Sequence, residues 1–312
     1  MRCIILSALA VSGTVFGADR LSTSEKGSLL IYSDIDGGGA GAGPGYGLMA
    51  ISNDFPADVR LQSYVVNNST CDAYDMAFSL TANQITVISG AQLSSPFGFC
   101  DSLSVYVWAV NSENEQIRWN HLSGFSEQGN ASAAAALTGN HGDTVGVAGT
   151  INLDGVEYSS AYNGAVVNFL ADSNGLSIEL LNKDFADKNA APATTKIVAE
   201  IWNSDEVKFS GTSRCVTCFD SEDLSTWSDS AVNFFRASNL GTEWGKARLS
   251  TEANGSCGDD SAEHAFHAQS VNSYGTMGIV GTGSRSATIS YDLESEPEEA
   301  GKLRKNFGLL RK

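Results

Sequence analysis

The stretch from Thr194 to Cys218, TTKIVAEIWNSDEVKFSGTSRCVTC, constrains the fold more than any other. Ile197, Ala199 and Ile201 alternate with Lys196, Val198, Glu200 and Trp202. Only an extended chain sorts such a pattern into one dry face and one wet face. Asn203-Ser204-Asp205 supplies turn chemistry, and Val207 and Phe209 resume the alternation around Lys208. The segment reads as a β-hairpin that ends in Gly211 and a Cys-x-x-Cys.

Similar runs fill the chain. Gly27–Ser33, Leu48–Ser52, Val59–Asn67, Ala77–Leu80 and Ile85–Ile88 read as short strands. Leu103–Asn111 (LSVYVWAVN) is apolar on both faces. Leu103, Val105, Val107 and Ala109 fall on one side, and Tyr106, Trp108 and Val110 on the other. Such a strand belongs in the middle of a sandwich. Gln116–Leu122, Val166–Ala171, Leu176–Asn182, Ala231–Ala237, Lys246–Thr251 and a closing Ser286–Leu293 extend the series, with a short helix open at Asp220–Trp227. The Gly-rich Asp34–Gly47 (DIDGGGAGAGPGYG) reads as a plain loop: position twelve of a calcium loop would be Gly45, and no helix follows to bind phosphate.

No helical pattern exceeds two turns before residue 295. The expected fold is therefore all-β, an antiparallel β-sandwich of immunoglobulin-like or jelly-roll-like type, two in tandem. The expected units are a signal peptide over 1–17, a first sandwich over 24–185 and a second over 193–294, with Asp184–Pro192 as linker. A basic tail over 295–312 is expected to be loosely helical or disordered, outside the β core.

Charge and cysteine set the compartment. The formal net charge of −17 repels phosphate backbones, so no nucleic-acid partner is expected. Met1–Gly17 has Arg2, an apolar core from Cys3 to Val11 and small residues before a cut after Gly17, a secretory pattern too short to span a bilayer. No later run suggests a transmembrane segment. The expected location is secreted or cell envelope, and Cys71, Cys100, Cys215, Cys218 and Cys257 should then form disulfides. Cys71 is expected to pair with Cys100, and Cys257 with Cys215 or Cys218.

Chemistry-bearing motifs are sparse. Cys215 and Cys218 with Cys257 and His264 or His267 form an alternative zinc set, and the Cys-x-x-Cys alone a redox alternative. The set with no metal and no cofactor is the expected one. Neither Gly-x-Ser-x-Gly nor His-Glu-x-x-His occurs. The acidic pairs Asp72/Asp75, Glu113/Glu115 and Asp259/Asp260 fall in turns, and His121 reads as a packed or surface residue. Among five tryptophans, Trp108 reads as core, while Trp202 stays open between core and a sugar-stacking platform.

Several phrases resemble a family of uncharacterised secreted bacterial all-β proteins. They are KGSLLIYS (Lys26–Ser33), SLTANQ (Ser79–Gln84), WAVN (Trp108–Asn111), IRWNHLSG (Ile117–Gly124), NLDGVEY (Asn152–Tyr158), IWNSDEVKFSGTSRCVTC (Ile201–Cys218) and GKAR (Gly245–Arg248). The resemblance implies an exported all-β protein with no assigned activity. The expected role is non-enzymatic, binding or structural, with the cell surface or a polysaccharide as partner. The alternatives are a secreted hydrolase of polysaccharide or peptide, and a Cys/His metal or redox module. The signal pattern predicts that exported material begins at Ala18. Amino-terminal sequencing checks this, and a retained Met1 refutes it.

Overall fold

The structure is a computed structural model, and it describes residues 26–38, 47–126, 129–130, 132–134, 150–153, 156–159, 164–181, 185, 191–252, 257 and 266–272. The expected signal peptide, the closing strand Ser286–Leu293, the basic tail, Asp259/Asp260 and His264 lie outside these residues.

Eighteen strands are described. The first nine are β1 (Leu29–Asp36), β2 (Leu48–Asn53), β3 (Val59–Asn67), β4 (Ala73–Leu80), β5 (Ile85–Ser89), β6 (Ser102–Val110), β7 (Leu122–Ser126), β8 (Gly129–Asn130) and β9 (Ser132–Ala134). The second nine are β10 (Thr150–Leu153), β11 (Val156–Ser159), β12 (Gly164–Leu170), β13 (Asn174–Leu180), β14 (Thr194–Asn203), β15 (Lys208–Thr217), β16 (Phe219–Asp223), β17 (Trp244–Glu252) and β18 (Phe266–Asn272). Helix among the described residues is confined to short pieces, chiefly α1 (Gly90–Ser94) and α2 (Ala237–Leu240). The fold is all-β and antiparallel throughout, as the alternation requires.

In the first half, a five-stranded sheet of order β4-β3-β6-β1-β9 faces a four-stranded sheet of order β5-β2-β7-β8. Their shared core includes Tyr32, Met49, Ile51, Leu61, Val105 and Val107. In the second half, a sheet of order β12-β17-β14-β15 faces one of order β16-β13-β18. Ile178, Ile197, Ile201, Trp227, Phe235 and Leu249 fill that core. The second sandwich does not begin at the expected linker. Strands β12 and β13 precede it, yet β12 pairs with β17, and β13 pairs with β16 and β18. The linker itself holds Phe185, buried against Tyr64, Tyr106 and Trp108 with ring centroids 4.4, 5.3 and 6.0 Å away.

Strand β6 sits between β3 and β1 and is dry on both faces, as its sequence predicts. Leu103, Val105, Val107 and Ala109 enter the first core. Tyr106, Trp108 and Val110 enter a further cluster with Leu29, Ile31, Leu153 and Leu181. That cluster joins the back of the five-stranded sheet to residues of the second half.

Three local expectations change. Asp220–Asp223 is strand, not the start of a helix. A strand puts Asp220 and Glu222 on one face, where both meet Arg214 at 2.7 and 3.3 Å. Gln116–Leu122 is irregular up to Leu122, with Trp119 and His121 packed around Phe55. Ala231–Ala237 is not a strand but a turn leading into α2 at Ala237; it buries Phe235, held by Asn233, which accepts from the Phe235 amide (3.0 Å) and donates to the Leu224 carbonyl (2.7 Å). Helix α1, by contrast, starts on a reciprocal cap. Ser89 Oγ accepts from the Gln92 amide at 3.3 Å, and Gln92 Oε1 accepts from the Ser89 amide at 3.0 Å.

The two ends of the glycine-rich segment meet that helix. A Cβ on Gly47 or on Gly90 would overlap the carbonyl oxygen of Asp36, and the Gly90 amide donates to the Gly47 carbonyl at 2.5 Å. Backbone rather than a flexible side chain blocks the space, so relief requires the chain to move. Gly90→Ala is expected to destabilise the protein by roughly 1–3 kcal/mol, the usual cost of overpacking. Urea unfolding checks this; an unchanged midpoint would show that the three backbones are not in close contact.

Candidate functional site

Three constellations bring polar groups together: a buried seam, the cysteine corner and the outer face of one sheet. The seam forms where β1 changes register between Tyr32 and Ile35, with Asp34 at φ 57°. Irregular backbone there turns Ser33 and Asp34 toward β13. The fully buried Glu179 of β13 accepts hydrogen bonds from Ser33 Oγ and, at 2.6 Å, from the Tyr106 hydroxyl. Asp34 accepts from Ser102 at 2.6 Å and from Ser177 at 3.0 Å, and Ser177 lies 2.8 Å from Ser221. Asn68 donates to Ser102 at 2.8 Å. Sequence reading missed this network because its members are single polar residues in unrelated strands. Hydroxyl donors satisfy a buried carboxylate, and a carboxylate with no exposed surface has no route to a substrate. The seam joins the two halves; it does not suit catalysis.

The cysteines divide by strand geometry. Cys215 is bonded to Cys257, with Cα atoms 5.4 Å apart, so Cys215 rather than Cys218 supplies the bond to Cys257. Residues three apart on a strand point to opposite sides. Cys215 is exposed, whereas Cys218 is buried at the corner where the chain leaves β15 for β16, at φ 62°. A zinc or redox site needs the two sulfurs to converge, and here one is exposed and the other buried. The disulfide also takes up two of the three thiolates of the zinc alternative, and no group of metal-ligating side chains occurs among the described residues.

The expected Cys71–Cys100 bond is not formed. The two sit on opposite faces of the five-stranded sheet: Cys100 packs against the first core, and Cys71 against the cluster behind it. Burial, and then the Asp101 charge, push the Cys100 thiol above its usual range. Beside the disulfide, Arg214 clamps Asp220 through two nitrogens at 2.7 and 2.8 Å and reaches the Trp227 carbonyl at 3.3 Å. Burial nonetheless raises the Asp220 carboxyl above the ordinary range.

The remaining hydrolase candidates do not converge. Asp72, Asp75, Glu113 and Glu115 are exposed. His121 Nδ1 lies 3.3 Å from Asp54, which also pairs with Lys26. The nearby Ser28 is fully buried, accepting from the Trp119 amide and donating to Asn120, each at 2.6 Å.

The outer face of the β12-β17-β14-β15 sheet is different in kind. Lys196, Val198, Glu200 and Trp202 point outward from β14, and Trp244, Lys246, Arg248 and Glu252 from β17. Register sets Lys246, Trp202 and Lys208 side by side on three adjacent strands. Cross-strand partners share a face. The two ammonium groups lie 5.4 and 5.3 Å from the Trp202 ring centre. Trp244, one step diagonally from Trp202, leaves 43% of its surface exposed. Gly245 beside it leaves room for the far end of the Phe169 ring, which a Cβ there would overlap. The sequence left Trp202 open between core and surface; the structure turns it outward, and the β14–β17 pairing sets Trp244 beside it.

No protein-family model, no curated protein and no solved structure matches the chain.

The seam leaves a titration signature. Burial, and then the Glu179 charge, raise the Tyr106 hydroxyl well above the phenol value of 10.0, and burial alone raises Tyr32. Above that value the unfolded chain has released phenolic protons that the folded chain still holds. The unfolded state then binds fewer protons, so stability falls as pH rises. Urea midpoints are expected to decline above about pH 10, the unfolded phenol value, and to decline less steeply in Tyr106→Phe. A flat profile would refute the burial of both hydroxyls.

Proposed function

We propose that the protein is an exported, non-enzymatic β-sandwich protein that binds polysaccharide at the cell surface or outside it. The carrying observation is the exposed Trp244 on β17, with Trp202 and its two lysines beside it, within a sheet face lined by polar and charged side chains. An aromatic ring presented on a rigid strand stacks on the apolar face of a sugar at little entropic cost. A flat sheet face takes an extended polymer more readily than a small molecule, which favours concave sites. Glu179 is enclosed in the seam, Asp34 is held there by Ser102 and Ser177, and the exposed acids are dispersed, which favours binding over hydrolysis. Export is supported by the secretory pattern at Met1–Gly17 and by the Cys215–Cys257 disulfide, because such bonds persist in oxidising compartments. No helix among the described residues is long and apolar enough to cross a membrane. The resemblance to secreted bacterial all-β proteins belongs to the same reading.

Affinity electrophoresis against a panel of immobilised neutral and acidic polysaccharides tests the proposal. At least one polymer is expected to retard the protein. Trp244→Ala is expected to weaken that retardation about 5- to 30-fold, equivalent to roughly 1–2 kcal/mol of lost apolar burial. Retardation by none of the panel, or a Trp244→Ala variant that behaves as the parent, would remove this face as the binding site.

A further inference from the structure

Charge on the same face narrows the ligand. The strands present Lys196, Lys208, Lys246 and Arg248 outward against two carboxylates, Glu200 and Glu252, in a chain whose net charge is −17. Glu200 pairs with Lys208 at 2.5 Å and Glu252 with Lys196 at 2.9 Å. Lys246 and Arg248 are exposed and make no ion pair among the described residues. Both lie on β17, two residues apart and therefore on one side, between Trp244 and Glu252. The outward strand positions thus carry four cations to two carboxylates in an otherwise acidic chain, a local surplus that suits an anionic ligand.

We infer that the ligand is a polyuronate, a polysaccharide with one carboxylate per sugar; the inference rests on the sugar-binding reading of this face. Three features select that chemistry. First, Lys246 and Lys208 flank Trp202 on its two neighbouring strands, so they stand roughly 9–10 Å apart, twice the strand spacing. A chain laid across the strands meets cation, ring and cation in turn. Second, the guanidinium of Arg248 offers the planar fork that a carboxylate accepts in bidentate fashion. Third, the excess of cations over anions is small. Densely charged polymers such as nucleic acids or sulfated glycans meet too few cations here and are repelled by the remaining surface. Both ammonium groups lie over the Trp202 ring, which helps hold them in place before binding.

Isothermal titration calorimetry of the full chain with polygalacturonate and alginate, each at low and at raised salt, tests the inference. Fully methyl-esterified pectin serves as the same backbone without its charges, and dextran sulfate and duplex DNA serve as dense polyanions. A polyuronate is expected to bind, more weakly as salt rises, and better than the esterified polymer. The double variant Lys246→Ala/Arg248→Ala is expected to lose about tenfold or more in polyuronate affinity, with an unchanged thermal midpoint because both side chains are exposed. Arg248→Lys should recover only part of the loss. Equal affinity for acidic and esterified polymer, or an unaffected double variant, overturns the polyuronate assignment while a Trp244-dependent binding survives. Preferential binding of dextran sulfate or DNA overturns it in favour of a dense polyanion. Binding to no sugar polymer overturns both readings together.

Discussion

Strand β6 is the element on which the rest of the structure depends. Its side chains are buried on both faces, so the five-stranded sheet must be covered twice. One cover is the β5-β2-β7-β8 sheet. The other is assembled from the β10–β11 hairpin, Leu181, Phe185 and the corner at Cys218. An antiparallel sheet normally keeps one face wet. Here the second face is taken by chain that belongs to the later half, and the two sandwiches therefore share a boundary. The polar seam runs along it. Glu179 and Asp34 would be costly inside that boundary without donors, and Ser33, Tyr106, Ser102 and Ser177 supply them. Directional bonds of this kind fix how the sheets meet more sharply than apolar contact alone.

The corner at Cys218 shows how one backbone feature serves several ends. The Leu180 amide donates to its carbonyl at 2.9 Å, and its own amide donates to the Ala193 carbonyl at 3.0 Å. The chain thus passes from the β15 edge of one sheet to the β16 edge of the other. The turn removes Cys218 from the outer surface and leaves Cys215 there to bond with Cys257. Arg214, the residue before Cys215, points inward and meets Asp220 and Glu222 across the same corner. A Cys-x-x-Cys that suggests chemistry on paper is here a crossing point braced by an ion pair on one side and a disulfide on the other.

Function, in this reading, falls to the surface the boundary leaves alone. The seam consumes the convergent acids and hydroxyls in joining the halves. The outward face of the β12-β17-β14-β15 sheet keeps two tryptophans and a local surplus of cations on strands whose inner side is packed against Trp227, Phe235 and Ile178. A rigid sheet presents those side chains at fixed spacing, which is the property a repeating polymer requires of its binder.

The sequence by itself determined the fold class, the central position of β6 and the Thr194–Thr217 hairpin. Each follows from a period-two pattern read over a few neighbouring residues, and local periodicity survives any tertiary arrangement. It also placed Cys257 with one member of the Cys-x-x-Cys. The tertiary structure decided what depends on strand order. It set Cys71 and Cys100 on opposite faces of one sheet and assigned β12 and β13 to the later sandwich. It buried Phe185 inside an apparently polar linker and brought Trp244, Lys246 and Arg248 beside Trp202. These are pairings between residues tens of positions apart, fixed by which edges meet and which faces are covered, and no window of sequence contains both partners.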